Sequence, residues 1–367
     1  MSPAQPSIPG DCFAPDYAQA RRRFLQTAEA ATLTVHSEPH PLPGRDGEAL
    51  AVDAVLDGAP DAQRLLIVSS GCHGIEGHAG SAVQIALLRD AVFRKAAQGA
   101  GVALLHLHAL NPHGFSFGHR VTHENVDVNR NFVDFSQPRP HNPLLPRLAP
   151  VLLPERWPPT PGNRLALYGF ALRHGIRATQ TTISQGQYQD PEGLFFGGNG
   201  PSWSRLALER LLARFGSQAR RIGWIDVHTG LGPNGVAERI LAGRPEPVLL
   251  KRARAWWGPG LTCTQEGSSS SAVLMGEMWQ AAAATCPQAE LTAMVMEVGT
   301  QSKLKVLDAL RGDQWLRLHP QAGEKQRAAI HQRMREAFYT ETPAWQAAVL
   351  AQGCELALQA VRGLAAT

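Results

Sequence analysis

The sequence predicts an α/β fold built on a largely buried sheet. Three observations predict it. Short apolar runs of strand length recur along the 367-residue chain, and segments with helical spacing separate them. Four of the runs end in polar, glycine-rich clusters, SGCHGIEGHAG, HALNPHGFSFGHR, DVHTGLG and MEVGT, as expected where an α/β sheet gathers its ligands at the carboxyl ends of strands. With 44% hydrophobic residues, the chain has material for a substantial core.

Taken in order, residues 16–30 (DYAQARRRFLQTAEA) read as a helix, followed by strand-like TLTVH (32–36) and LAVDAVL (50–56). The run LLIVSS (65–70) ends in a glycine-rich turn over 71–80, after which Ala79, Val83, Ala86 and Leu87 recur at helical spacing. VALLHLHAL (102–110), IGWIDVH (222–228) and TAMVMEV (292–298) are the remaining strands; their nearly continuous apolar character is that of strands covered on both faces. The proline-rich stretch 138–161 and the Gly/Ser stretch 267–271 read as loops rather than linkers. From about residue 324 the chain reads as helical, with Trp345, Val349 and Leu350 on one face packing back onto the domain. The expectation is one catalytic domain over 1–367, with its core at about 50–320 and the terminal helices packed on it.

Composition excludes several classes. Charged residues make up 18% and the net charge is +4, which argues against a basic nucleic-acid face and against an acidic disordered tail. Thirty Arg stand against five Lys, a bias read as the imprint of a GC-rich bacterial genome, so an arginine becomes informative only through its context. No stretch approaches the ~20 apolar residues of a membrane helix. The segment MSPAQPSIPGDCFAPDY has neither a basic nor an apolar signal region. Cys12, Cys72, Cys263, Cys286 and Cys354 are odd in number, widely spaced and without a CxxC pair, as in a protein with reduced thiols. A soluble cytoplasmic protein without nucleic-acid or membrane partners is expected; oligomeric state is not readable.

His73-x-x-Glu76 directly follows a strand. Imidazole and carboxylate are good zinc ligands, and a catalytic zinc site takes three protein ligands. His228 ends its own strand, and Glu297 closes an apolar one, where a carboxylate is expensive unless paired or catalytic. Singly, each also fits a plainer role: a loop histidine, a strand-end histidine paired with Asp226, a salt bridge to one of the arginines.

Between them lies NPHGFSFGHRVTHENVDVNRNF (111–132). HxxE, an Asn-Pro-x-Gly turn, an Arg, a DxNRN run, a later strand-end His and a final strand Glu follow one another here. In that order they resemble the zinc metallocarboxypeptidases of the carboxypeptidase A type, with their succinylglutamate desuccinylase and aspartoacylase relatives. The resemblance covers about residues 65–300 and is closest to a bacterial branch in which SGxHGxEG, NVDxNRNF and HTGLG recur. It implies a mixed, twisted sheet flanked by helices, and one zinc ion per chain held by His73, Glu76 and His228. It implies Glu297 as general base and acid, Arg120 polarising the scissile carbonyl, Asn129 and Arg130 clamping the substrate's free carboxylate, and Asp127 accepting the remaining ring N–H of His73.

The chemistry of the residue types agrees. A zinc site activates water at neutral pH, and a nearby carboxylate moves the proton. A guanidinium holds a carboxylate bidentately, and a carboxylate behind a ligating imidazole fixes its tautomer. Two departures stand out. No tyrosine aligns with the family's lid residue, Tyr188 being the nearest candidate and better read as loop packing, and no residue matches the one that sets side-chain preference. Cys72 reads as a small buried neighbour of the site. A small peptide is the expected substrate; cleavage of an N-acyl amino acid by a zinc deacylase is the alternative. Gly114-Phe-Ser116-Phe-Gly118 raises a serine hydrolase as a remote alternative, although no helical periodicity follows it. A non-catalytic carboxylate-binding module is the other, although the ligands, the Arg and Glu297 are all present.

Overall fold

In the computed structural model residues 11–366 are described; the first ten, part of the segment read above for a signal, lie outside them. Seven strands, β1 (Val35–Pro39), β2 (Ala51–Asp57), β3 (Arg64–Ser70), β4 (Val102–His108), β5 (Arg221–Gly230), β6 (Ala237–Ala242) and β7 (Glu290–Gly299), form one sheet in the order β1-β2-β4-β3-β5-β7-β6. The inner four, β4, β3, β5 and β7, run parallel. Antiparallel β2 and β1 extend one edge, and antiparallel β6 closes the other. The sheet is therefore mixed, and β3 to β5 are buried almost throughout, as their unbroken apolar runs require.

Thirteen helices among the described residues flank it: α1 (Tyr17–Ala30), α2 (Gly77–Arg89), α3 (Ala91–Gly99), α4 (Pro112–Phe117), α5 (Leu145–Leu152), α6 (Pro161–His174), α7 (Ile176–Ser184), α8 (Trp203–Gly216), α9 (Pro247–Trp257), α10 (Gln280–Thr285), α11 (Lys303–Leu318), α12 (Glu324–Phe338) and α13 (Pro343–Ala366). Period-two alternation sorts the strand residues between two cores. Leu66 and Val68 of β3 pack with Val83 of α2, Trp257 of α9 and Val349 of α13. Their neighbours Leu65 and Ile67 face the opposite layer, with Leu208 and Leu211 of α8 and Ala281 of α10. Trp345, Val349 and Leu350 are buried as the sequence predicts.

Three sequence expectations need correction. Thr32, expected in a strand, sits at φ 58° in the turn that closes α1, and the strand begins at Val35. β6, AERILA, escaped prediction because it is a short edge strand with one half only partly buried. Within 138–161, expected to be loop, α5 forms, and α6 begins at Pro161. The prolines misled: Pro146 and Pro161 sit in first turns, where the missing N–H has no intrahelical partner to lose.

The topology fixes where a site forms. From β3 the chain passes through α2 and α3 to β4 on one side, and β5 later returns to the other side of β3. The carboxyl end of β3 is thus the point where the connections part, the usual crevice of such sheets.

Candidate metal centre and active site

Three parallel strands deliver the side chains. Beyond β3 the chain turns through Gly71, at φ 65°, into a 3-10 turn, Gly74–Glu76, capped by His73. This turn is pressed onto α4: a Cβ on Gly74 would stand 2.0 Å from the carbonyl carbon of Gly114, so only glycine fits. β5 carries His228 and β7 carries Glu297, and the two are register partners.

Nδ1 of His73 lies 2.8 Å from Oε1 of Glu76, and Nδ1 of His228 lies 2.9 Å from Oε2 of the same carboxylate. The two Nδ1 atoms are 3.1 Å apart. All three residues are buried, with ligand atoms within 4.8 Å of one another. Nε2 of His228 bonds Asp226, whose ionised carboxylate can only accept, so in the neutral ring that nitrogen carries the proton. Nδ1 is then a bare lone pair aimed at a carboxylate oxygen and a second imidazole. Such convergence calls for a cation or a shared proton, and two imidazoles with one carboxylate are the donor set of a catalytic zinc site. The residues fit the metal. The electrostatics agree: burial opposes charge on His228, yet Asp226 and Glu76 outweigh it and raise its pKa well above the usual range. Burial likewise pushes Glu76 up, and the two histidines more than reverse it.

Asp127 stands 3.2 Å from Nε2 of His73, but Nη2 of Arg120 is nearer, at 2.7 Å. Arg120 also donates from Nε to Asp127 at 3.0 Å and from Nη1 to Glu76 at 3.2 Å, and its guanidinium lies over Phe195 at 5.2 Å. It is thus woven into the ligand cluster as well as lining the cavity above it. Burial pushes Asp127 up, but Arg120 and Arg130 hold it well below the usual carboxylate range.

Asn129 and Arg130 lie in a second 3-10 turn, Val128–Arg130, and both line the cavity. Arg130 is buried, with Nε and Nη2 donating to the Ser184 carbonyl at 3.0 and 2.6 Å and Nη1 to that of Asn129 at 2.8 Å. Two of its five N–H donors remain. Asn129 accepts the Met278 N–H at 2.8 Å through Oδ1.

Glu297 is buried, accepts the Leu231 N–H at 2.9 Å, and forms no ion pair with an arginine among those of the described residues. Burial and the neighbouring Glu76 charge push its pKa up to about 7. A carboxyl group poised at neutrality can both take and return a proton.

Ser116 is buried in α4 with its hydroxyl on Glu48 at 2.5 Å and the Arg45 N–H at 2.9 Å; among the described residues no histidine hydrogen-bonds it, so the serine arrangement lacks its base. Tyr188 packs, donating to the Arg130 carbonyl at 2.6 Å. A different tyrosine, Tyr168 of α6, lines the cavity. Cys72 is buried, its thiol pushed well up by burial, with its sulfur within 4.8 Å of a carboxylate oxygen of Asp226 and a ring nitrogen of His228. Sequence reasoning treated the Asp226 pairing as a plain alternative to ligation; in the structure Asp226 holds Nε2 of His228 while Nδ1 stays directed at Glu76 and His73, so the two are compatible. It also missed Glu277, a cavity carboxyl group raised by burial.

A family model described as "Protein of unknown function (DUF2817)" matches residues 13–352. No curated protein matches the chain. Among solved structures, bovine thrombin-activatable fibrinolysis inhibitor, in complex with tick carboxypeptidase inhibitor, is similar at 11% identity and a TM-score of 0.49, covering 96% of each chain. Carboxypeptidase A from Helicoverpa armigera is similar at 11% identity and a TM-score of 0.45, covering 89% of this chain and 74% of that one. No helix among the described residues is long and apolar enough to cross a membrane.

Proposed function

The chain belongs to the DUF2817 family, and from its own site we propose that it is a zinc-dependent hydrolase of the carboxypeptidase kind, cleaving an amide bond next to a free carboxylate. The observation that carries this reading is the convergence of His73, Glu76 and His228 beside Glu297, a carboxyl group held near neutrality. We take residues 1–367 as one catalytic domain. When bound by the three ligands, zinc supplies a Lewis acid that acidifies water and polarises a carbonyl.

The chain's own residues supply the rest. Glu297 takes the proton of the attacking water and returns it to the departing amine. Arg120 offers N–H groups to the negative charge that develops on the carbonyl oxygen. Asn129 and the two remaining donors of Arg130 hold the carboxylate that sets the cleavage position. Asp226 fixes His228, and Asp127 fixes Arg120 and the outer nitrogen of His73. Peptides with a free C-terminus and N-acyl amino acids both present the required amide and carboxylate.

A panel of free, C-terminally amidated and N-acylated substrates, with zinc-loaded protein, tests the reading. Free-carboxylate substrates are expected to turn over and the amidated ones to fail. Undiminished turnover of an amidated peptide would remove the carboxylate clamp, and with it the exopeptidase assignment.

A further inference from the structure

The cavity above His73, Glu76 and His228 has a volume of about 450 Å³, more than an amide and a carboxylate occupy. Away from the charged groups its wall belongs to α6, α7 and α11, with Leu167, Ile183 and Leu307 facing the space. Four polar side chains in that wall are already engaged. Thr179 donates to the Gly175 carbonyl and Ser184 to that of Gln180, each at 2.8 Å. Gln180 and Lys303 both donate to the Ser270 carbonyl at 2.7 Å. A peptide laid along this wall would bury amides without partners, which is costly, whereas a hydrocarbon chain requires none.

The rim repeats the pattern. Tyr168, Ile176 and Leu304 line the cavity yet are 51%, 79% and 53% exposed. α6, which carries Tyr168, buries none of its residues. Apolar side chains gathered at a cavity mouth mark a surface that a ligand covers.

We propose that the substrate's acyl group is a long aliphatic chain. The ligand is then an N-acyl amino acid with its amide and carboxylate at the charged end and its chain running along α6, α7 and α11 to the mouth. The proposal rests on the amide hydrolysis assigned above. In that reaction water gives its oxygen to the acyl carbon as the C–N bond breaks, and its proton to the nitrogen, leaving a fatty acid and a free amino acid.

Two measurements on the full chain test it. Decanoate binding by calorimetry needs no turnover; hydrolysis of acetyl, hexanoyl, decanoyl and hexadecanoyl derivatives of one amino acid adds kcat/KM. Within the cavity each methylene is expected to raise kcat/KM about fourfold, the equivalent of ~0.8 kcal/mol per buried CH₂, with a plateau once the chain passes the rim. Ile176→Glu and Leu304→Glu, at exposed positions outside the catalytic machinery, are expected to weaken decanoate binding at least about tenfold. They should also flatten the series while leaving acetyl turnover unchanged. A flat or falling series in which the acetyl compound is hydrolysed overturns the proposal, and so does wild-type decanoate binding by both variants. Failure of every acyl amino acid and every free-carboxylate peptide to turn over would instead sink the hydrolase reading, while decanoate binding would still report on the wall.

Discussion

Replacing Asp226 by Asn isolates one charge behind one ligand. Trp224 donates from Nε1 to Ser69 Oγ at 2.7 Å, Ser69 donates to Asp226 Oδ1 at 2.6 Å, and the other carboxylate oxygen takes the Nε2–H of His228. Asn has the same shape. With its oxygen kept on His228, its NH₂ donates to the free lone pair of Ser69 and reverses that hydrogen bond, so the ring stays in place while the charge is lost. Charge-assisted hydrogen bonds are roughly twice as strong as neutral ones, and loss of a carboxylate behind a metal-bound imidazole costs roughly 10–100-fold in metal affinity, about 1.4–2.8 kcal/mol. Burial of Asp226 and His228 leaves no room for solvent to compensate, which places the expectation in the upper half of that range. A zinc competition titration against a chromophoric chelator reads the effect directly. Ser69→Ala is the control, since it removes a hydrogen bond but no charge, and less than about a fivefold change is expected. Wild-type zinc affinity in the Asn variant would refute the assignment of His228 as a ligand through Nδ1.

Glu297→Gln is expected to keep zinc and lower kcat by roughly 10²–10⁴-fold, measured by metal analysis alongside initial rates; retained turnover would remove Glu297 from proton transfer. Arg120→Gln is expected to lower kcat by roughly 10²–10³-fold with zinc still bound, and loss of zinc together with turnover would make the arginine a support of the ligand cluster instead. His106 in β4 is buried with neither ring nitrogen bonded, and burial pulls its pKa down to about 4. Below pH ~6.5 the unfolded chain therefore binds a proton that the folded core refuses. Stability is lost as pH falls from 6.5 towards 4, and His106→Leu should cut that loss by up to ~3 kcal/mol in denaturant titrations; an unchanged pH profile would contradict this. At Gly276, φ is 67° and a Cβ would lie 2.3 Å from the Arg130 carbonyl oxygen, so Gly276→Ala is expected to destabilise by ~1–3 kcal/mol, read from the melting transition.

The parallel core was legible because it obeys local rules. Residues buried on both faces give unbroken apolar strings, and strand ends in such a sheet meet along one edge. His73, Glu76, His228 and Glu297 could therefore be gathered from positions over 200 residues apart, and the structure brings them together. What stayed hidden depends on packing between segments with no common pattern. Arg120 lies closer to His73 than Asp127 does, a matter of where one long side chain settles. Arg130 binds the Ser184 carbonyl, and Ser184 closes the helical segment whose prolines disguised its first half as loop. The same segment supplies Tyr168 and the apolar wall. Asp226 was visible in the sequence, but two residues from His228 on the same strand it looked like an ordinary pair rather than a ligand's support.

Charge explains why these parts belong together. With neutral histidines, the buried carboxylates Glu76, Asp127 and Asp226 outnumber the guanidinium groups Arg120 and Arg130 by one negative charge, before Glu297 or Glu277 ionises. A dication turns that balance positive, and ionised Glu297 brings it back to zero, the state in which the base can act. The bound site thus tolerates, but does not require, one further negative charge, whether a substrate carboxylate beside Arg130 or the charge that forms on the carbonyl oxygen beside Arg120. Arg120 is central to this balance because it donates to Glu76 and contacts His73. Positive charge among His73, Glu76 and His228 would weaken the hold of Arg120 on Glu76 and His73 and would favour its Nη groups turning to the cavity that it lines.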